Sequence, residues 1–199
     1  MTRSQHGTGR GPLPIAHRGG AGLAAENTLD AFARSYAPGI RYLETDVRVS
    51  ADGTGLAFHD ATLDRALGRP GAERATPSRY LRHRGVPTIA EVLRAFPDAC
   101  FTIDIKDEPA VAPLGRTLRE TGAAHGVCAA GAWDGWLPRL RDKVGPELAG
   151  AGRTRRGRFA HPAVVARAGP VRPRAGPARE PAPADPGPRA GRSGRSPGP

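Results

Sequence analysis

Between Leu13 and Ala149 short apolar runs alternate with stretches of helical periodicity, and this alternation constrains the fold more than any other feature of the chain. Residues 13–17, 42–49, 100–106 and 127–133 read as strands. In "NTLDAFARSY" Leu29, Phe32, Ala33 and Tyr36 fall on one helix face. Asn27 or Thr28 can cap that helix, and Pro38-Gly39 stops it. In "TIAEVLRAF" Thr88 and Glu91 form a capping box ahead of an Ile89, Val92, Leu93, Phe96 stripe, and Pro97 closes the segment. "AVAPLGRTLRETG" is a weaker helix, because Pro113 and Gly115 lie inside it, and "GWLPRLRDKVG" is a further one. Repeated strand–helix–strand units require parallel strands joined by right-handed crossovers. The result is an α/β fold, either a barrel or an open sheet.

The pattern ends near Gly150. Of the formal net charge of +11 carried by 199 residues, +9 lies in residues 151–199, which hold 11 Arg, 10 Pro, 10 Ala, 8 Gly and a single aromatic, Phe159. Such a segment cannot bury enough apolar surface to offset its ordering entropy. The expected organisation is a disordered N-terminus at 1–12, a domain at 13–149 and a disordered Arg/Pro/Gly/Ala-rich tail at 150–199. The tail also has the composition that GC-rich DNA gives when read out of frame. Cys100 and Cys128 sit in apolar runs and read as small buried hydrophobes, not as a disulfide framework. The first residues lack the apolar segment of a signal peptide, and no run approaches the roughly 18 apolar residues of a membrane span. The expected location is cytoplasmic.

Polar residues interrupt three strands near their C-terminal ends. Strand alternation in "YLETDVRV" puts Leu43, Thr45 and Val47 on one face and Tyr42, Glu44 and Asp46 on the other. Two carboxylates side by side repel unless a cation lies between them, and hard oxygen ligands suit Mg²⁺ or Ca²⁺. Asp52-Gly53 signals a hairpin; with a two-residue loop, Asp46 faces His59. In "FTIDIKD" Asp104 and Lys106 share the face opposite Phe101, Ile103 and Ile105; Asp104 offers a third oxygen ligand and Lys106 a contact for an anion. His17 and Arg18 come where the first strand ends, ahead of Gly19, Gly20 and Gly22. The C-terminal ends of parallel strands are where α/β sites form. Two histidines, three carboxylates, an arginine and a lysine there suit metal-assisted hydrolysis of a phosphoester.

Five ordered motifs, "HRGGAGLAAENTLDAF", "YLETDVRVSADG", "LAFHDATLDR", "VPTIAEVL" and "FTIDIKD", resemble the N-terminal half of glycerophosphodiester phosphodiesterases. The resemblance implies a TIM barrel that uses a divalent cation to hydrolyse glycerophosphodiesters to sn-glycerol 3-phosphate and an alcohol. Carried over by position, His17 and His59 would be the general acid/base pair, Glu44, Asp46 and Asp104 would hold the cation, and Arg18 and Lys106 would hold the phosphate. The glycines after Arg18 would let backbone pass close to the ligand. Family members usually carry Glu at the position of Asp104 and often Pro at that of Ala25. Only four of the eight barrel strands are recognisable here, so the expected fold is an incomplete TIM-barrel-type barrel. A reading of another class is an inactive remnant whose arginine-rich tail binds nucleic acid without sequence choice. A third is a barrel lyase whose substrate attacks its own phosphate and leaves a cyclic product.

Overall fold

Six strands and six α-helices make up the computed structural model, which describes residues 13–131, 133 and 135–151. The expectations for residues 1–12 and for the tail beyond 151 lie outside the described residues. Five strands are parallel and lie side by side in chain order: β1 (Ile15–Ala16), β2 (Tyr42–Val49), β4 (Cys100–Ile105), β5 (Val127–Gly131) and β6 (Ala149–Ala151). The sixth, β3 (Gly55–Ala57), runs antiparallel to β2. An open doubly wound sheet reverses its strand order at a switch point; a barrel adds each strand beside the last. The order seen here is that of the first five strands of a barrel, which settles the choice that periodicity leaves open.

The helices form where the sequence directs them. Thr28 caps α1 (Leu29–Tyr36) by accepting from the Ala31 N–H at 3.2 Å, and α1 buries Phe32 against Phe96 and Phe101, each ring centre 6.0 Å away. α2 (Asp64–Leu67) and α3 (Ser78–His83) belong to the excursion after β3, which packs a small core of Leu56, Phe58, Leu63, Leu81 and Val86. α4 (Ile89–Ala95) carries the full capping box, with Glu91 accepting from the Thr88 N–H and Thr88 from the Glu91 N–H. α5 (Val111–Thr121) forms despite Pro113 and Gly115. Pro113 lies in the first turn, where no intrahelical N–H is needed, and Gly115 faces α6 (Trp136–Val144), where a Cβ would come within 3.3 Å of Leu140.

Two sequence expectations are corrected. The hairpin loop has three residues, not two: Ser50 N–H donates to Thr54 O at 3.0 Å, Gly53 is left-handed at φ 74°, and Val47 pairs with Ala57. Asp46 therefore stands opposite Phe58, whose N–H donates to Asp46 O, and not opposite His59. Asp52 closes the loop on both sides: its carboxylate accepts from the Ser50 hydroxyl within the hairpin and from the Ser78 N–H and hydroxyl beyond it. A left-handed glycine at the third loop position is the usual solution once the loop has three residues. Second, a fifth parallel strand exists. β6 reads Ala-Gly-Ala, with none of the β-branched or aromatic residues that mark strands, and Gly150 is small because a Cβ there would lie 2.0 Å from Leu137. The sheet thus continues to Ala151, two residues past the boundary drawn from composition.

Candidate active site

β1 ends at Ala16, and the chain turns through His17–Gly19 with Arg18 itself left-handed, at φ 50°. A non-glycine residue in that conformation costs about 1–2 kcal/mol. Two contacts hold it: the Arg18 N–H donates to Glu44 Oε2 at 2.6 Å, and its carbonyl accepts from the Asn27 N–H at 2.8 Å. The two glycines after it serve α1 packing. A Cβ on Gly19 would lie 2.9 Å from the Phe32 ring and one on Gly20 2.2 Å from Ser35 Oγ, so the close approach that the sequence assigns to a ligand is made to a helix.

Glu44 and Asp46 lie along β2, and Asp104 is the register partner of Asp46 on β4. Asp46 is buried. It accepts from Asn27 Nδ2 at 2.9 Å, and Lys106 Nζ lies 2.8 Å from its Oδ1 and 2.6 Å from Asp104 Oδ2. Burial alone would pull the Lys106 pKa down, but these two carboxylates outweigh it and the pKa is raised. Arg18 spans to the same group, with Nε 3.6 Å from Asp46 Oδ2 and Nη1 donating to Glu26. That Nε is buried and has no hydrogen-bond partner, a donor held ready for an acceptor. His17 Nε2 is 4.0 Å from Glu44 Oε2; burial and the Arg18 charge push its pKa down.

His59 arrives on the segment after β3. Its Nδ1 lies 2.6 Å from Asp60 Oδ1, and its carbonyl accepts from Arg48 Nε at 2.7 Å, while Arg48 is pinned by Asp107. Arg65, through a side-chain hydrogen bond, holds the Asp60 carboxyl down at about 2. An ionised Asp60 has no proton to give, so His59 donates from Nδ1 and is left with Nε2 for chemistry. Hydrogen bonds link His59 to Arg18 through Asp60, Arg65 and Glu26 in turn. All seven side chains chosen from sequence therefore join one connected group. The sequence reading passed over Asn27, Glu26, Asp60, Arg65 and Arg48. Three of these had a signal: Asp60 adjoins His59, and Glu26 and Asn27 sit just ahead of the helix cap residue Thr28.

Residues 17–122, more than half of the chain, match the model of the glycerophosphoryl diester phosphodiesterase family. The chain belongs to this family. It is 32% identical over 124 residues to a probable glycerophosphodiester phosphodiesterase 2 of Mycobacterium tuberculosis, an alignment covering 59% of this chain and 47% of that one. The glycerophosphodiester phosphodiesterase of Caldanaerobacter subterraneus is 29% identical over 107 residues, covering 47% and 44%. Among solved structures, a glycerophosphodiester phosphodiesterase of Agrobacterium tumefaciens superposes with a TM-score of 0.63 at 25% identity, covering 70% of this chain and 66% of that one. An Oleispira antarctica phosphodiesterase, solved with the product sn-glycerol-3-phosphate, gives 0.62 at 23%, covering 72% and 66%. The chain spans about half the length of the curated relatives it matches. Among the described residues no helix is long and apolar enough to cross a membrane.

For a phosphodiesterase of this family the question is whether the acidic group fits a divalent cation. Among the described residues no three metal-binding side chains converge into a closed site; the Lys106 ammonium sits between Asp46 and Asp104. The donor set is nevertheless of the right kind, three carboxylates and no sulfur. Glu44 supplies the physical test. Burial, and then the Asp46 charge, push its pKa up to about 8. Glu44 is a buried acid whose one ion-pair contact among the described residues is the His17 ring at 4.0 Å, and a positive centre beside it would restore its charge. The residues fit the group.

Proposed function

We propose that this site hydrolyses glycerophosphodiesters to sn-glycerol 3-phosphate and an alcohol. The observation that carries the reading is the network that joins Glu44, Asp46 and Asp104 on β2 and β4 to His17, Arg18 and Lys106, with His59 tied to Arg18 through Asp60, Arg65 and Glu26. Glu44, Asp46 and Asp104 would hold Mg²⁺ or Ca²⁺, which when bound supplies charge for the phosphoryl oxygens. Asp104 is one methylene shorter than the family's usual Glu, and Lys106 must leave one of its two carboxylates before that ligand is free.

The remaining work falls to the chain's own groups. Arg18 Nε, buried and without a partner, donates to a phosphoryl oxygen, and Lys106 on release meets another. His17, whose depressed pKa keeps it neutral near pH 7, accepts a proton from the attacking water. His59 keeps its Nδ1–H on Asp60; to act as the acid it carries a second proton on Nε2, which goes to the leaving alcohol and leaves the ring in the neutral Nδ1–H form. The site opens to solvent, and the expected location of the chain is cytoplasmic.

The test incubates the whole chain with glycerophosphocholine and Mg²⁺ or Ca²⁺ and follows the phosphorus resonances. Formation of sn-glycerol 3-phosphate supports the reading. A five-membered cyclic phosphate assigns the chain to intramolecular attack instead. Absence of turnover in every cation overturns the activity. The 11 arginines of residues 151–199 carry a second reading, an inactive family remnant with a basic tail. In that reading residues 151–199 bind nucleic acid, and steeply salt-dependent RNA binding that vanishes when they are deleted is its signature.

A further inference from the structure

Arg65 is the feature of the molecule that the proposed reaction leaves without a task. It sits on α2, a four-residue helix that buries none of its side chains, and is itself half exposed. Yet each of its three nitrogens donates a hydrogen bond. Nε donates to Asp60 Oδ2 at 2.6 Å, Nη1 to Glu26 Oε2 at 3.0 Å and Nη2 to Glu26 Oε1 at 2.5 Å. The two carboxylates come from opposite flanks of the site. Asp60 follows β3 and takes the His59 ring on its other oxygen. Glu26 precedes α1 and accepts from Arg18 Nη1 at 3.0 and 3.2 Å.

We propose that Arg65 is a positioning residue: through Asp60 it fixes the tautomer and orientation of His59, and through Glu26 it fixes the Arg18 fork. The inference rests on the catalytic reading of His59 and Arg18 given above. A planar fork with donors on two edges can hold two carboxylates at a set spacing, which a point-charge ammonium cannot do. Exposed ion pairs contribute little to stability, so a purely structural Arg65 has little to do here. Groups that orient a reacting side chain typically matter about 10- to 100-fold to the function they support.

The experiment uses the full chain labelled with ¹⁵N-histidine, with the His59 ring assigned by loss of its signals in His59→Asn. The wild-type ring is expected in the Nδ1–H form. Arg65→Ala is expected to give a mixture of tautomers and to weaken binding of sn-glycerol 3-phosphate roughly tenfold, with the melting temperature little changed. Arg65→Lys is expected to restore one of the two readouts and not both, because one ammonium reaches one carboxylate. Where turnover is present, kcat falls more than KM rises. Wild-type ring signals together with wild-type product affinity in Arg65→Ala overturn the proposal. A wild-type chain that hydrolyses nothing, but whose His59 ring still changes in Arg65→Ala, upholds it and counts against the activity alone.

Discussion

The two sides of the sheet differ in what they carry. β1 leads into His17-Arg18, β2 carries Glu44 and Asp46 along its length, and β4 carries Asp104 near its end ahead of Lys106, all tied into one network with Asn27 and Glu26. β5 and β6 end in Ala130-Gly131 and Ala151, with Trp133 exposed and set edge-on to Trp136 at 6.2 Å. Both sides are built of the same parallel strand–helix units. The difference is one of side chains: the charged and titratable groups of the network lie on and just after the first three parallel strands, while β5 and β6 end in small residues.

The comparison breaks first if stability does not follow the same division. Phe32 joins α1 to both α4 and β4 and is fully buried, whereas Leu137 on α6 is only partly covered. Phe32→Ala should cost about 3–5 kcal/mol in urea unfolding and Leu137→Ala under about 2. Equal costs would mean that the β5–β6 side holds the fold as firmly as the other.

Function should divide more sharply. Asp46→Asn keeps the shape but removes the charge that faces Lys106 and Arg18, and should lower hydrolysis roughly 10²- to 10³-fold. If the wild type does not turn over, the same variant should abolish detectable product binding. Trp133→Ala, on the other side, should leave either readout near wild type. A large loss at Trp133 would assign the apolar end of β5 to substrate.

A third expectation concerns protons. With its pKa raised to about 8, Glu44 stabilises the folded chain most below the unfolded value of 4.5 and loses that contribution as pH rises through about 8. In chelator the melting temperature should therefore fall by a few degrees between these limits. Saturating Mg²⁺ or Ca²⁺ should flatten the slope, because a charged Glu44 then has a partner. Glu44→Gln should flatten it in chelator as well. An unchanged slope in Glu44→Gln would place the titrating group elsewhere.

Much of this arrangement was legible because it rests on local rules. Period-two alternation put Glu44 with Asp46 and Asp104 with Lys106, and parallel winding brought the C-terminal ends of those strands together. Thr88 and Glu91 announced α4 in four residues. What stayed hidden depends on partners distant in sequence. Asp52, in the hairpin loop, bonds Ser78, 26 residues on, and Arg65 reaches Glu26 across 39. Lys106 was read as a phosphate contact and Asp104 as a cation ligand, but the two pair with each other when no ligand competes. β6 escaped because an Ala-Gly-Ala strand is specified by its neighbour Leu137 and not by its own propensity.

The smallest effect tests the same division at the helix ends. α1 and α4, which flank the reacting strands, are each capped by a threonine, while α6 begins at Gly135 with no side-chain cap. A cap of this kind contributes about 1 kcal/mol by satisfying an N–H that the helix leaves unpaired. Amide exchange in the first turn of α6 should therefore outpace that of α4. Thr88→Ala should narrow the gap by about fivefold, the rate equivalent of that energy, because both halves of the capping box are lost together: Thr88 no longer accepts from Glu91, and Glu91 loses the hydroxyl that helps hold it over the Thr88 N–H. If α4 exchanges as fast as α6 before the substitution, the site-bearing side owes its order to burial alone, and the capping threonines are incidental to where the chemistry sits.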